Sequence, residues 1–119
     1  MDGELRTSHY LVELYSPSPA WEILSDDNRR VFIDGIAKGM TELGTLGIEM
    51  LTLSEIDPDV PRSTYHRFVG IWRFPNATAR DALLQGIHDS GWYRYFHHVN
   101  AATRTGELGE HLHALASYR

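Results

Sequence analysis

The stretch Tyr65-His66-Arg67-Phe68-Val69-Gly70-Ile71-Trp72-Arg73-Phe74 decides how the rest of the chain must be arranged. Aromatic and β-branched residues dominate it, and such side chains suit a pleated, packed surface. Read as a strand, it points His66, Phe68, Gly70, Trp72 and Phe74 one way and Tyr65, Arg67, Val69, Ile71 and Arg73 the other. Both sets are apolar in the middle, Phe68 and Trp72 against Val69 and Ile71. A strand buried on both faces belongs inside a sheet with a cover on each side. Helices of the same chain can supply one cover, and the other has to come from elsewhere.

Working outward, His9 to Ser16 reads as a first strand stopped by Ser16-Pro17-Ser18-Pro19, because proline lacks the donor a ladder needs. Ala20 to Leu24 is a connector that can tuck Trp21 against the domain. Ser25 is an N-cap followed by Asp26 and Asp27, and Phe32, Ile36, Met40 and Leu43 mark the apolar stripe of a helix to about Leu43. The Gly35/Gly39 spacing suggests a close approach to the sheet, and Gly44 and Gly47 suit positive-φ positions that end the helix. Ile48 to Ser54 is a second strand and Glu55 to Thr64 a long loop. After Pro75, Asn76 caps a second helix carrying Leu83, Leu84 and Ile87 and ending near Ser90-Gly91. Trp92, Phe96 and Val99 recur at helical spacing and predict a third, short helix. After Gly106, Leu108, Leu112 and Leu115 fit a helix, while alternation over 107–116 fits a strand. The topology calls for one more strand, and the tail is read as that strand.

The order β-α-β-β-α-β, with strands one and two parallel and the third between them, is the α+β, ferredoxin-like βαββαβ arrangement with an antiparallel sheet. Both helices then cover one face. The other face, holding Val69 and Ile71 with Leu11 and Leu51 or their opposites, is too apolar for water, and a second copy can cover it. A homodimer packed sheet to sheet is therefore expected.

At 119 residues the chain is one domain, 1–119, since a second would lack a core of its own. The formal charge is −5 and there is no basic run, which argues against a nucleic-acid partner or an anionic membrane. There is no Cys, consistent with a cytoplasmic protein and excluding thiol chemistry. No apolar run approaches the roughly 20 residues of a membrane span. Met1 to Ser8 is too polar for a secretory signal. Neither a phosphate-cradling glycine loop nor a dinucleotide fingerprint nor a strong metal spacing is present, so no metal or nucleotide cofactor is expected.

Three segments carry a resemblance: Tyr10-Leu-Val-Glu-Leu-Tyr15, the central strand ending Trp72-Arg-Phe-Pro75, and Gly91-Trp-Tyr-Arg-Tyr-Phe-His-His-Val-Asn100. Over about residues 9–102 the chain resembles the dimeric α+β barrel superfamily, and the third segment is similar to a group of uncharacterised bacterial proteins within it. The resemblance implies two ferredoxin-like subunits stacked into a barrel, with a ligand cavity in each. Members include cofactor-independent monooxygenases, polyketide cyclases, lactone isomerases and haem-degrading enzymes. The haem-degrading members use a strand Trp and a helix His, to which Trp72 and His88 correspond. They also carry an Asn on the first strand, where this chain has Leu11 and Glu13.

The candidate bases are His66, His98 and Glu13. Histidine titrates near neutral pH and suits proton abstraction beside a carbonyl. His66 would start the central strand on the Phe68/Trp72 face. On a helix His97 and His98 diverge by about 100°, and His98 falls on the inner side. Glu13, in mid-strand, is costly to bury unless paired; the plain reading is a cross-strand ion pair with Arg67 or Arg73, the sharper one a cavity base. Tyr15 and Arg67 are candidate anion stabilisers, while Trp72, Tyr95, Phe96 and His88 are candidate ligand contacts. The function expected is an enzyme acting without cofactor on a small hydrophobic, aromatic or polyketide-like molecule by proton abstraction, as a cyclase, isomerase or monooxygenase. The alternative is a non-enzymatic small-ligand or haem-binding barrel.

Overall fold

The structure is a computed structural model, described here for residues 9–104 and 106–119. The reading of Met1 to Ser8 lies outside the described residues. Four strands, β1 (His9–Pro17), β2 (Glu49–Glu55), β3 (Phe68–Phe74) and β4 (Phe96–Ala102), form one sheet in the order β2-β3-β1-β4. Every neighbouring pair is antiparallel, so β1 and β2 run parallel to each other on either side of β3. Five helices are described: α1 (Pro19–Glu22), α2 (Asp26–Leu43), α3 (Ala77–Asp89), α4 (Trp92–Tyr95) and α5 (Leu108–Ser117). The architecture is α+β, with β3 in the interior of the sheet as its sequence requires.

The two long helices start where their caps place them. Ser25 Oγ accepts the Asn28 N–H at 3.1 Å and Asn76 Oδ1 accepts the Ala79 N–H at 2.8 Å. Each cap contributes about 1 kcal/mol. Leu11, Trp72, Phe74, Ala79 and Leu83 form the core between the sheet and α3, joined by Met40 and Leu43 from α2. Full burial of Leu11, Phe74 or Leu83 contributes about 1.5–3 kcal/mol apiece.

The structure corrects several expectations. The central strand begins at Phe68, not Tyr65. Thr64 Oγ1 bonds both the ring and the backbone N–H of His66, and this local turn competes with the ladder. Only Trp92–Tyr95 is helical in the predicted third helix, and Phe96–Ala102 is the fourth strand. The apolar spacing there is helical, and pairing with β1 across Tyr15↔His98 and Glu13↔Asn100 overrides it. With that edge filled, the tail is helix α5, begun by the Glu107 carboxylate accepting the Glu110 N–H at 2.8 Å. Its Leu108, Leu112 and Leu115 are all exposed.

Gly44 has φ −58°, so Gly47, at φ 76°, alone supplies the left-handed turn after α2. In β2, Leu51 is an extra residue between the pairs Met50↔Trp72 and Thr52↔Ile71, a bulge in an edge strand. The open face of the sheet carries Val12, Leu14, Val69 and Ile71, half-buried, and the exposed Val99. Leu11 belongs to the opposite, helix-covered face, where it is fully buried.

Candidate functional site

Beneath the two long helices the sheet presents Glu13, Tyr15, Gly70 and Trp72. Helix α2 stands off from this surface: none of its 18 residues is fully buried, and a Cβ placed on Gly35 or Gly39 would meet nothing within 4 Å. The close approach expected of these glycines is therefore absent. They leave space, and a cavity of about 310 Å³ lies there, partly open to solvent. Its walls are Ile36, Met40 and Leu43 of α2, Leu83 and Ile87 of α3, and Leu53 of β2. Glu13, Tyr15, Trp72 and Trp92 line its sheet side, with Glu42 and Ser90 also on its lining.

A carboxylate on such a surface needs partners. Glu13 Oε1 accepts the Trp72 indole N–H at 2.5 Å, and Oε2 lies 3.2 Å from His98 Nε2. The His98 and Glu13 side chains are 2% and 5% exposed, so this pair is screened little by water. An indole N–H can only donate. Trp92 donates to His98 Nδ1 at 2.9 Å, so that nitrogen carries no proton. The imidazole is thus the Nε2–H tautomer, whose proton goes to Asn100 Oδ1 at 2.7 Å while Glu13 Oε2 lies beside the same nitrogen. The Glu13 carboxylate has one hydrogen-bond donor, Trp72, and among the described residues no Lys or Arg lies against it.

The surrounding elements hold this network in place. Tyr15 stacks on His98 at 5.6 Å and on Phe68 at 5.7 Å between ring centroids. Its hydroxyl is pushed above its ordinary range by burial first and by the nearby Glu13 charge second. Trp92 stacks on Phe96 at 4.1 Å. The turn carrying Trp92 is tied to the end of β1, since Ser18 donates from its backbone to the Tyr95 carbonyl and from its hydroxyl to the Arg94 carbonyl. Gly70 is required for close approach: a Cβ there would lie 2.9 Å from Leu53 and 3.0 Å from Glu13 Oε1.

Of the residues singled out in the sequence, Glu13, His98, Tyr15 and Trp72 come together. Phe96 is buried behind them against Trp92. Tyr95 packs with Trp21 and Phe32, away from the cavity lining. His66 is held by Thr64 in the loop before β3, and Arg67 is exposed. Arg73, the other partner weighed for Glu13, pairs with Glu49 at 2.6 Å on the opposite face. His88, 72% exposed at its side chain, lies beside Asp89 near the end of α3. Sequence reasoning missed Trp92 and Asn100 as parts of the network and Gly70 as its spacer. A lone glycine inside an otherwise bulky strand was the available signal for Gly70.

Among the described residues, no group of three or more His, Asp or Glu is arranged to hold a metal ion, and no helix is long and apolar enough to cross a membrane. No curated protein matches the chain. Residues 8–118 match a family of unknown function, DUF6616, and since that match spans nearly the whole sequence, the chain belongs to this family.

Proposed function

We propose that the protein binds a small, hydrophobic, aromatic or polyketide-like molecule in the cavity beneath α2 and α3, and abstracts a proton from it without a cofactor. The observation that carries this reading is a carboxylate, Glu13, buried at the edge of a mostly apolar cavity, fixed by the Trp72 N–H and flanked by His98. Glu13 replaces the histidines as the base. His98 has its Nδ1 lone pair engaged by Trp92, and His66 is outside the cavity lining. A carboxylate has about four lone-pair sites, so Glu13 can accept a proton while Trp72 remains bonded to it. The C–H electron pair would pass into an adjacent carbonyl to give an enolate, which could cyclise, isomerise or react with oxygen.

Solvent-deuterium exchange tests this reading. An enolisable aromatic ketone that binds should acquire deuterium beside its carbonyl in heavy water, and Glu13→Gln should stop it. A bound ketone that never exchanges removes the mechanism.

The second reading, a non-enzymatic carrier, is favoured by the Trp72 N–H already bonded to Glu13 Oε1 and by His98 crowding Oε2 at 3.2 Å. Its haem version has less support, because no His is among the described residues lining the cavity. A stoichiometric Soret band on haem titration would restore it.

The finer architecture, a ferredoxin-like subunit in a dimeric α+β barrel, also belongs to this proposal. The strand order β2-β3-β1-β4 and the apolar open face support it. A solution mass near 13.6 kDa by light scattering at micromolar concentration would remove the dimer. A cytoplasmic location, with neither nucleic acid nor membrane as partner, completes the reading and rests on composition.

A further inference from the structure

We infer that the cavity selects flat aromatic ligands that enter without negative charge and bring a hydroxyl or amine donor, and that it rejects carboxylates of the same shape. This rests on the proposed reading of the cavity as a ligand site and adds the ligand's charge class. Trp72 Nε1–H points at Glu13, His98 Nε2–H is bonded to Asn100 Oδ1 beside it, and Trp92 Nε1–H is spent on His98. Those three N–H groups are therefore already committed. What remains toward a ligand is the Tyr15 hydroxyl, which can donate or accept, and the acceptor capacity of the carboxylate. With Nδ1 accepting from Trp92, His98 presents a single N–H, directed to Asn100, and sets no second donor against Glu13.

The lining repeats the same sign. Among the described residues, its only side chains able to carry charge near neutral pH are Glu13 and Glu42, and no Lys, Arg or His faces the cavity. An anionic ligand would meet a buried like charge in a low-dielectric setting, without the cation or bidentate guanidinium that usually receives carboxylates. Burial first, and the Glu13 charge second, make the Tyr15 hydroxyl harder to ionise than an ordinary tyrosine. A donor on an aromatic ring meets the reverse situation, with an acceptor ahead of it and the rings of Tyr15, Trp72 and Trp92 on the sheet side. The proton-transfer chemistry is consistent with this. One negative charge starts on Glu13 and moves to the ligand as Glu13 takes the proton, so the sheet side of the cavity never has to hold two.

The test is calorimetric titration of the whole chain at neutral pH with 2-naphthol and with 2-naphthoate, matched in ring system and differing in charge. The indole N–H resonances of Trp72 and Trp92 report where each binds. Naphthol should bind at least about tenfold more tightly, the scale of one like-charge contact at partial burial, and should shift both indole signals. Glu13→Gln should bring the two affinities together. If that variant does not fold by circular dichroism, the wild-type comparison decides alone. Naphthoate binding as tightly as naphthol, or neither ligand binding, overturns the inference. Naphthol bound with the expected preference, together with a bound ketone that never exchanges deuterium, leaves the inference standing and removes the proposed proton abstraction.

Discussion

On β1, Leu11, Glu13 and Tyr15 point beneath the helices, while Val12 and Leu14 between them point away. On β3, Gly70, Trp72 and Phe74 share the first face, and Val69 and Ile71 the second. The two surfaces invert the usual distribution of polarity. The covered face carries a carboxylate and its donor, whereas the face without helices is mostly aliphatic near its centre. A strand with one solvated side normally alternates apolar inward and polar outward. The inversion indicates that the covered side was not built for packing alone, and that the open side was not built for water.

Four measurements sharpen or break this comparison. The largest effect should come from the covered core. Phe74→Ala empties a fully buried site and should cost about 3–5 kcal/mol in urea unfolding. A loss below about 1 kcal/mol, the level of ordinary surface changes, would mean the core lies elsewhere. Next comes the network itself. Trp72→Phe keeps a ring but removes the donor to Glu13, and should cost about 1–3 kcal/mol, the penalty of an unmet buried partner. An unchanged denaturation midpoint would show that the bond contributes nothing.

On the open face, Ile71→Asp should lower the stability of the subunit by only about 1 kcal/mol, within the spread of strand propensities, yet reduce a dimer to the 13.6 kDa species in light scattering. A dimer that survives it does not use this face. The smallest effect concerns pH. Burial and Glu13 raise the Tyr15 hydroxyl above its ordinary value of 10.0, so the folded state holds that proton more tightly than the unfolded chain. The resulting stability is fully present below the unfolded value and is lost as pH rises through the folded one. Tyr15→Phe should flatten the alkaline decline in chemical denaturation, and an identical slope in both proteins would contradict the assignment.

Much of this was legible in the sequence, where caps and periodicity carry local information. Ser25 and Asn76 each marked a helix start within a residue, and the two-sided apolar pattern placed β3 inside the sheet. The segment after Gly91 was misread because Trp92, Phe96 and Val99 satisfy a helical period, whereas the strand is decided by β1 across the sheet, about 80 residues away in the chain. The site was legible in part for the same reason. Glu13 stood out as a mid-strand carboxylate needing a partner, but which partner depended on register. The sequence offered two arginines, and the sheet supplied His98. No local signal could assign the tautomer of His98, since that requires knowing where Trp92 sits.

The extra residue at Leu51 also governs how the sheet meets its neighbours. β2 is an edge, and with Met50, Leu51 and Leu53 exposed it would otherwise offer a sticky template to a stray strand. A bulge breaks the even spacing of free N–H and C=O groups that such a strand would have to match. Glu49 and Glu55 at its two ends add like-charge repulsion between identical edges approaching each other. The irregularity in β2 thus works as protection against edge-to-edge aggregation, and the dimer proposed above would use the open face instead.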